Sequence, residues 1–203
     1  MDKVKTENTE LEILEAAKHI FQQKGMDGAR MQEIADKANI NKALLHYYYR
    51  SKQMLFEAVF KSAFSLLAPQ LNKVLNDDSP LFQKIENFTE NYVSFVIKHP
   101  YLPNFVIQEL TRNPDFIQTL RAQPNFPSMG KFTNQVLESI EKGEIREIKA
   151  EQLLINILSL NIFPFIGKPL LMALINVDKE KYNQILLARK TEVSSFIIHS
   201  IKI

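Results

Sequence analysis

The stretch that decides the fold lies near the N-terminus and reads Asn41-Lys42-Ala43-Leu44-Leu45-His46-Tyr47-Tyr48-Tyr49-Arg50-Ser51-Lys52. From Lys37 to Phe56 the chain contains no Asp or Glu, whereas cations, three tyrosines and a histidine are interspersed along it. A small basic and aromatic surface of this kind suits the phosphate backbone of DNA. The alternative interpretation is an ordinary set of solvent-exposed cations, because short basic runs are common.

Local helix signals fix how this stretch folds. Asn41 is a favourable N-cap, so a short helix is predicted to begin at Lys42. Helical spacing then directs Lys42, Ala43 and His46 outward. The positions expected to face the core are Leu45 and Tyr49.

A second N-cap signal, Ser51, opens a longer helix with Lys52 in its first turn. A lysine beside the free amides of a helix N-terminus opposes the helix dipole, but the same geometry suits a bound phosphate. Lys52 is therefore a candidate phosphate contact.

The composition of the whole chain is that of a soluble globular protein. Its 203 residues are 45% hydrophobic and 24% charged, with a formal net charge of +2. With so small a net charge, affinity for nucleic acid must come from local patterning. The chain has no cysteine, which excludes disulfides and thiolate metal sites. No cofactor or metal site is predicted, and the polar segment from Met1 to Glu10 predicts a cytoplasmic protein without a secretory signal.

The predicted fold class is all-α. Apolar residues recur at spacings of three and four, glycines are few, and no alternating β-type run is present. A capping-box pattern at Thr9 and Glu12 predicts a first helix that ends at Gly25, with its buried side formed by Leu11, Ile13, Leu14, Ala17, Ile20 and Phe21. A second helix is expected from about Met31 to Ala38. With the helix from Lys42, these make a three-helix unit whose third member is exposed.

At this point the first sixty residues resemble a known family. The run Ile13-Leu14-Glu15-Ala16-Ala17, Phe21, Gly25, Ile34-Ala35, Ala38, Ile40-Asn41-Lys42, Leu45, Tyr47, Tyr49, Ser51-Lys52 and Leu55-Phe56 resembles the N-terminal DNA-binding domain of the TetR family of bacterial transcriptional regulators. In that family the third helix enters the major groove. The resemblance implies DNA contacts from Lys42, Ala43, His46, Tyr47 and Lys52, with Arg30 and Gln32 as further candidates. The chain departs from the family pattern at His46, Tyr49 and Arg30.

The remainder of the chain predicts a larger helical domain. We expect a helix from Lys52 to Asn76 that crosses a boundary near Phe60, so that residues 1–60 form the helix-turn-helix domain and residues 61–203 an effector-binding and dimerisation domain of a protein with about nine helices. Ser79 and Pro80 open a fifth helix that runs to Lys98. A shorter helix from Pro103 to Arg112, an irregular section across Pro114, Pro124 and Pro127, and a helix from Ser128 to Lys142 that ends at Gly143 complete this part.

An effector pocket is predicted between these helices. The aromatic and polar residues expected to touch the ligand are Phe88, Tyr92, Phe95, Phe105, Glu109, Phe132 and Asn161, with Phe116 as a further aromatic. Plain core packing is the alternative for the aromatic residues. Glu109 and Asn161 would orient a ligand if they are buried, and would be merely solvated otherwise.

The C-terminal part carries two apolar seams. From Glu151 to Asn176 the chain is apolar nearly all round, yet Pro164 and several polar residues argue against a membrane span. Pro164 is expected to kink or break the helix. The last helix, from Asp178 to about Lys202, carries the second seam. We expect both helices to pair with their copies about a two-fold axis.

These patterns favour a homodimeric repressor that binds double-stranded DNA as an inverted repeat and is released by a small apolar or aromatic effector. The alternative is a helical ligand-binding module whose N-terminal domain docks a protein. An enzyme is not predicted, because the four histidines are scattered and no Glu-x-x-His pair, phosphate-binding glycine loop or thiol is present.

Overall fold

The computed structural model describes residues 2–121 and 126–203, and those residues form eleven helices. The helices are α1 Asp2–Gly28, α2 Met31–Lys37, α3 Lys42–Tyr48, α4 Lys52–Asn76, α5 Leu81–Lys98, α6 Leu102–Arg112, α7 Asp115–Arg121, α8 Gly130–Glu141, α9 Ala150–Ile166, α10 Lys168–Ile175 and α11 Lys179–Ile201. The all-α fold class is confirmed. The described residues form eleven helices where about nine were expected, because α7 lies within the section expected to be irregular and α10 is a separate helix.

The chain divides into two compact units, the first ending at Ser65 and the second beginning at Leu66. Helix α4 contributes its N-terminal part to the first unit and its C-terminal part to the second. The break expected at Pro124, and the side chain of Phe116, lie outside the residues described.

In the first unit, α1 packs on α2 and α2 packs on α3. Phe21 of α1 meets Phe56 of α4 edge to face, with ring centroids 4.9 Å apart. Gly25 ends the regular part of α1 as expected, with a positive φ of 67°. The capping box expected at Thr9 is wrong because the helix already begins at Asp2, and Leu11 faces solvent instead of the core.

The turn between α2 and α3 has the tight geometry of a helix-turn-helix. Asn39 adopts a left-handed conformation with φ of 54°, which asparagine tolerates better than most residues. The Ile40 amide donates to the Ala35 carbonyl at 3.0 Å and closes the end of α2. The Asn41 side chain then accepts from the Leu44 amide at 2.7 Å, so the predicted N-cap of α3 is confirmed.

Because α3 is only seven residues long, its cap contributes a large share of its stability. Asn41→Ala removes the side-chain acceptor and leaves the Leu44 amide to water. We expect a loss of about 1 kcal/mol in the free energy of unfolding of the first unit, measured by urea denaturation. Asn41→Ser keeps an acceptor and serves as the control, and equal stability of both variants and wild type would contradict the role of the cap.

In the second unit, α9 is the central element. It packs against α5, α6, α8, α10 and α11, while α5 also runs along α11. Helix α8 ends one residue before Lys142, and Gly143 follows with a φ of 68°, the left-handed conformation expected after a helix C-terminus. The start of α5 differs from expectation: Pro80 occupies the N-cap position, and the backbone amide of Ser79 donates to the Asp77 carboxylate at 3.1 Å.

Pro164 does not break α9, which continues to Ile166. A proline has no N–H, so the carbonyl four residues earlier, that of Leu160, lacks its helical partner. Arg189 of α11 supplies one, because its Nη2 donates to the Leu160 oxygen at 2.5 Å. The hydroxyl of Tyr182 donates to the Pro164 carbonyl at 2.7 Å. Two α11 side chains therefore hold the proline turn in place.

The chain bends by 78° at Gly167, where α9 gives way to α10. In the described part of the chain, no single helix has both the length and the apolar composition needed to cross a membrane. Helices α9 and α10 meet that test only when they are joined across this bend.

Candidate functional site

Helix α3 exposes most of its surface and buries one residue. Within Lys42–Tyr48, Leu45 is fully buried, while Lys42, Ala43 and His46 face solvent. The side chain of Tyr47 is 80% exposed. The structure therefore brings four of the predicted DNA-contact residues together on one exposed helix.

Tyr49 faces the core, as its spacing from Leu45 predicts. Its hydroxyl donates to Glu10 Oε1 at 3.1 Å. Burial, with a smaller effect of the hydrogen bond to Glu10, raises the pKa of the Tyr49 phenol well above its usual range. Tyr49 thus ties the end of α3 to α1.

Lys52 has a structural role that the sequence did not indicate. Its ammonium donates to the carbonyl oxygen of Asp27, at the end of α1, at 3.2 Å, and to that of Ala29, in the link to α2, at 3.1 Å. An ammonium has three N–H donors, so these bonds leave one for a phosphate. The unfavourable position of Lys52 in the first turn of α4 is explained at least partly by these two carbonyls.

The two candidates at the start of α2 are both exposed. Arg30 occupies the N-cap position with no side-chain cap, so its guanidinium is not used to start the helix. Gln32 donates to Asp36 at 2.7 Å within the same helix. Nearby, Lys24 binds Glu33 at 2.9 Å, and this hydrogen bond lowers the pKa of the Glu33 carboxyl. Glu33, three residues after Arg30, is therefore already paired with a lysine.

One exposed residue of α3 lies outside the predicted set. Leu44 is 37% exposed, although it is apolar and adjacent to the buried Leu45. The sequence could have predicted this exposure. Leu44 and Leu45 are consecutive, and neighbouring residues on a helix point in different directions, so a helix with one buried face covers only one of them.

The predicted ligand residues lie on four helices that pack on one another: α5, α6, α8 and α9. Those fully buried are Phe88, Tyr92, Glu109, Phe132 and Asn161, whereas Phe95 and Phe105 are half-buried. Glu109 and Asn161 were expected to orient a ligand only if they are buried, and both are buried. Phe88 stacks on Tyr92 with centroids 5.2 Å apart. Two cavities of about 430 Å³ are lined by other residues of α5 together with α11.

Among the described residues on these four helices, two buried polar side-chain atoms have no hydrogen-bond partner. Asn161 donates from Nδ2 to the Ile157 carbonyl at 2.8 Å and to Thr89 Oγ1 at 3.4 Å, but its Oδ1 is buried and unpaired. The hydroxyl of Tyr92 is also buried and unpaired. Buried polar groups are normally satisfied, so these two atoms are exceptions within the core.

The unpaired hydroxyl predicts an unusual response to mutation. Tyr92→Phe removes a buried polar group that lacks a partner, so we expect the variant to be as stable as wild type or more stable by about 1 kcal/mol. Burial raises the pKa of the Tyr92 phenol above its ordinary value near 10. The stabilisation from keeping it neutral is present below about pH 10 and is lost as pH rises further.

Thermal unfolding from pH 7 to 11 measures both effects. The Phe variant should lose less stability than wild type above about pH 10, because it has no phenol to ionise. Tyr182→Phe is the matched control, since the Tyr182 hydroxyl has a partner in the Pro164 carbonyl. A Tyr92→Phe variant that is less stable than Tyr182→Phe at neutral pH would show that the Tyr92 hydroxyl is satisfied.

Comparison with known proteins agrees with this geometry. Residues 13–59 match the family described as bacterial regulatory proteins, tetR family. The chain is 26% identical over 139 residues to the Probable HTH-type transcriptional regulator YttP of Bacillus subtilis, a match covering 68% of this chain and 65% of YttP. It is 28% identical over 103 residues to the biofilm operon icaADBC HTH-type negative transcriptional regulator IcaR of Staphylococcus aureus, covering 51% and 54% of the two chains. The matches therefore span less than two thirds of either relative.

Solved structures share the whole fold. HlyIIR, a hemolysin II transcriptional regulator, superimposes with a TM-score of 0.62 at 22% identity over 97% of this chain and 98% of its own. A TetR-family transcriptional regulator from Haemophilus influenzae gives a TM-score of 0.62 at 16% identity over 98% of each chain. At such identities these structures speak for the fold alone. The helix-turn-helix geometry and the family match place residues 13–59 of this chain in the TetR family of bacterial regulatory proteins.

Proposed function

We propose that this protein is a homodimeric transcriptional repressor that binds an inverted-repeat operator and leaves it when a small apolar or aromatic effector binds. The observation that carries the proposal is the exposed face of α3, which presents Lys42, His46 and Tyr47 inside a stretch free of acidic residues. The matched relatives are transcriptional regulators, which supports a role in gene control rather than catalysis. Such a role places the protein in the cytoplasm.

In this proposal α3 lies in the major groove of DNA. Lys42 contacts a phosphate and an adjacent base edge, and His46 reaches a base edge. The exposed methyl groups of Ala43 and Leu44 suit contact with thymine. Tyr47 donates to a phosphate from the exposed side of the same helix. Lys52 uses its remaining N–H on the backbone, and Arg30 and Gln32 flank the groove at the start of α2.

Lys42→Ala tests the phosphate and base contacts of α3. Removal of one cation at the interface should lower the dependence of log affinity on log salt by about 0.9, because one fewer counterion is released. The measurement is fluorescence anisotropy on a mixed-sequence DNA duplex at several salt concentrations. Lys61→Ala removes an exposed lysine from α4 and serves as the charge-matched control.

Equal salt dependence of Lys42→Ala and Lys61→Ala would contradict the placement of α3 on DNA. A reduced slope in the Lys42 variant alone would support it.

The dimer is inferred from apolar side chains that a single chain leaves in water. Ile155 and Phe163 of α9, and Leu187 and Phe196 of α11, are large and exposed. Helices α9 and α11 pack on each other, so these side chains belong to one adjoining pair of helices. If α9 and α11 pack against the same two helices of a second copy, they form a four-helix interface that buries these apolar side chains.

Phe196→Glu should disrupt this interface. The side chain is 65% exposed in the single chain, so the charge is harmless to the monomer but would be buried without a partner in the dimer. We expect sedimentation velocity to show monomers, with the helical circular-dichroism spectrum unchanged. The control is Leu137→Glu on α8, where the side chain is 52% exposed and outside α9 and α11. Dimers in the Phe196 variant, or monomers in the Leu137 variant, would contradict this interface.

The effector is proposed to bind among α5, α6, α8 and α9. The unpaired Tyr92 hydroxyl and Asn161 Oδ1, together with the buried carboxyl of Glu109, supply polar contacts within an aromatic surround. Their placement suits a compact apolar molecule that carries one or two polar groups. Repression is relieved if the effector has higher affinity for a conformation in which α4 is shifted, while DNA has higher affinity for the other conformation. Binding of the effector then lowers the affinity for DNA.

A further inference from the structure

One of the two cavities of about 430 Å³ in the C-terminal unit has a chemistry that the proposed effector site lacks. It measures about 430 Å³ and lies where the C-terminal end of α5, the α9–α10 bend and the N-terminal part of α11 come together. A volume of this size lies within the range of roughly 300–1,000 Å³ that is usual for small-molecule sites. None of the residues assigned above to the effector contributes to its lining.

This cavity is lined by both apolar and cationic side chains. The apolar wall is formed by Ile97, Phe165 and Leu186, together with Pro100 and with Leu187, which is also assigned above to the dimer interface. Lys168, Lys179 and Asn183 supply the polar wall. None of the described lining residues is acidic, so the cavity combines an apolar surface with an uncompensated positive charge.

The ammonium of Lys168 is held at the cavity by two contacts. It donates to Asn183 Oδ1 at 3.1 Å, and it lies 5.4 Å from the centroid of the Tyr182 ring, within the distance of a cation–π contact. Tyr182 is fixed in turn by its hydrogen bond to the Pro164 carbonyl. Asn183 takes one of the three N–H donors of Lys168, so two remain for a ligand.

Neither lysine is neutralised by the protein. Among the described residues, no ion pair involves Lys168 or Lys179. The two acids adjacent to Lys179 in the sequence, Asp178 and Glu180, form no ion pair with it, and the Asp178 side chain accepts from the Lys181 amide at 2.8 Å as the N-cap of α11. The cavity therefore presents two cations that are available to an anion.

We propose that this cavity binds an amphipathic carboxylate, whose apolar body lies against Ile97, Phe165 and Leu186 and whose headgroup pairs with Lys168 and Lys179. A carboxylate offers two acceptor oxygens in a compact group, which matches the free donors of Lys168. The apolar wall favours a ligand that carries a hydrocarbon body, because contact between the two removes apolar surface of both the ligand and the protein from water. This site goes beyond the proposed effector site and does not depend on DNA binding.

Isothermal titration calorimetry of the full chain with sodium decanoate, kept below its micelle concentration, tests the proposal. We expect saturable binding by wild type and a loss of affinity of about tenfold or more in the double variant Lys168→Gln/Lys179→Gln, because two charge-assisted contacts are removed. Lys142→Gln is the matched control, since this lysine lies on the exposed surface beyond the end of α8. Acetate and 1-decanol should both bind more weakly than decanoate, because each lacks one half of the ligand.

Three results would overturn the proposal. The first is no saturable binding of decanoate, including the case in which the protein sediments with phosphatidylglycerol vesicles but ignores the free carboxylate. The second is unchanged affinity in the folded double variant, which would place the anion elsewhere in the protein. The third is equal affinity for 1-decanol and decanoate, which would exclude recognition of the charge. If the double variant does not fold, Lys179→Gln alone replaces it, because that side chain is exposed and lies in the first turn of α11.

Discussion

The proposed activity depends on a helix that is held to its domain by very little buried surface. Of the seven residues of α3, Leu45 is the one fully buried, and it lies at the centre of the helix. The Asn41 cap fixes the start of α3 and the Tyr49 hydroxyl bond to Glu10 fixes its end. Because few contacts hold the inner face of α3, most of the surface of this helix is exposed and can bind a partner. The same constraint explains why Lys52 is used to secure the segment after α1: its two carbonyl bonds add rigidity that a small core does not supply.

The first unit follows closely from the sequence because its decisive signals are local. A cap residue, a glycine with positive φ and the spacing between Leu45 and Tyr49 each act over a few residues, and the structure confirms all three. The helix start predicted at Thr9 was wrong because a helix continues through a capping residue when the preceding residues are also helical. Lys52 could not be interpreted fully from the sequence, since its partners, Asp27 and Ala29, lie more than twenty residues away. The DNA-contact set itself stays a prediction, supported by exposure and by the family match.

The second unit was harder to predict because its details depend on long-range partners. Pro164 is a strong local signal for a helix break, yet Arg189 restores the missing partner of the Leu160 carbonyl and the helix continues. The sequence does not show that an arginine twenty-five positions later lies beside that turn. The same applies to polar residues in the core: the sequence raised Glu109 and Asn161 as conditional candidates, and only the packing of α6 and α9 shows them buried. The charged cavity beside α10 was not anticipated, because its cations and its apolar wall come from three separate segments.

Direct selection of bound sequences from a random pool of double-stranded DNA, followed by titration of the winning site against salt, tests the central claim most directly. The account predicts enrichment of a short inverted repeat whose half-site centres lie about 34 Å or more apart, bound by one dimer with an affinity that falls steeply as salt rises. A folded dimer that enriches no sequence, or whose affinity for DNA does not change with salt, would contradict the assignment of α3 as a DNA-reading helix.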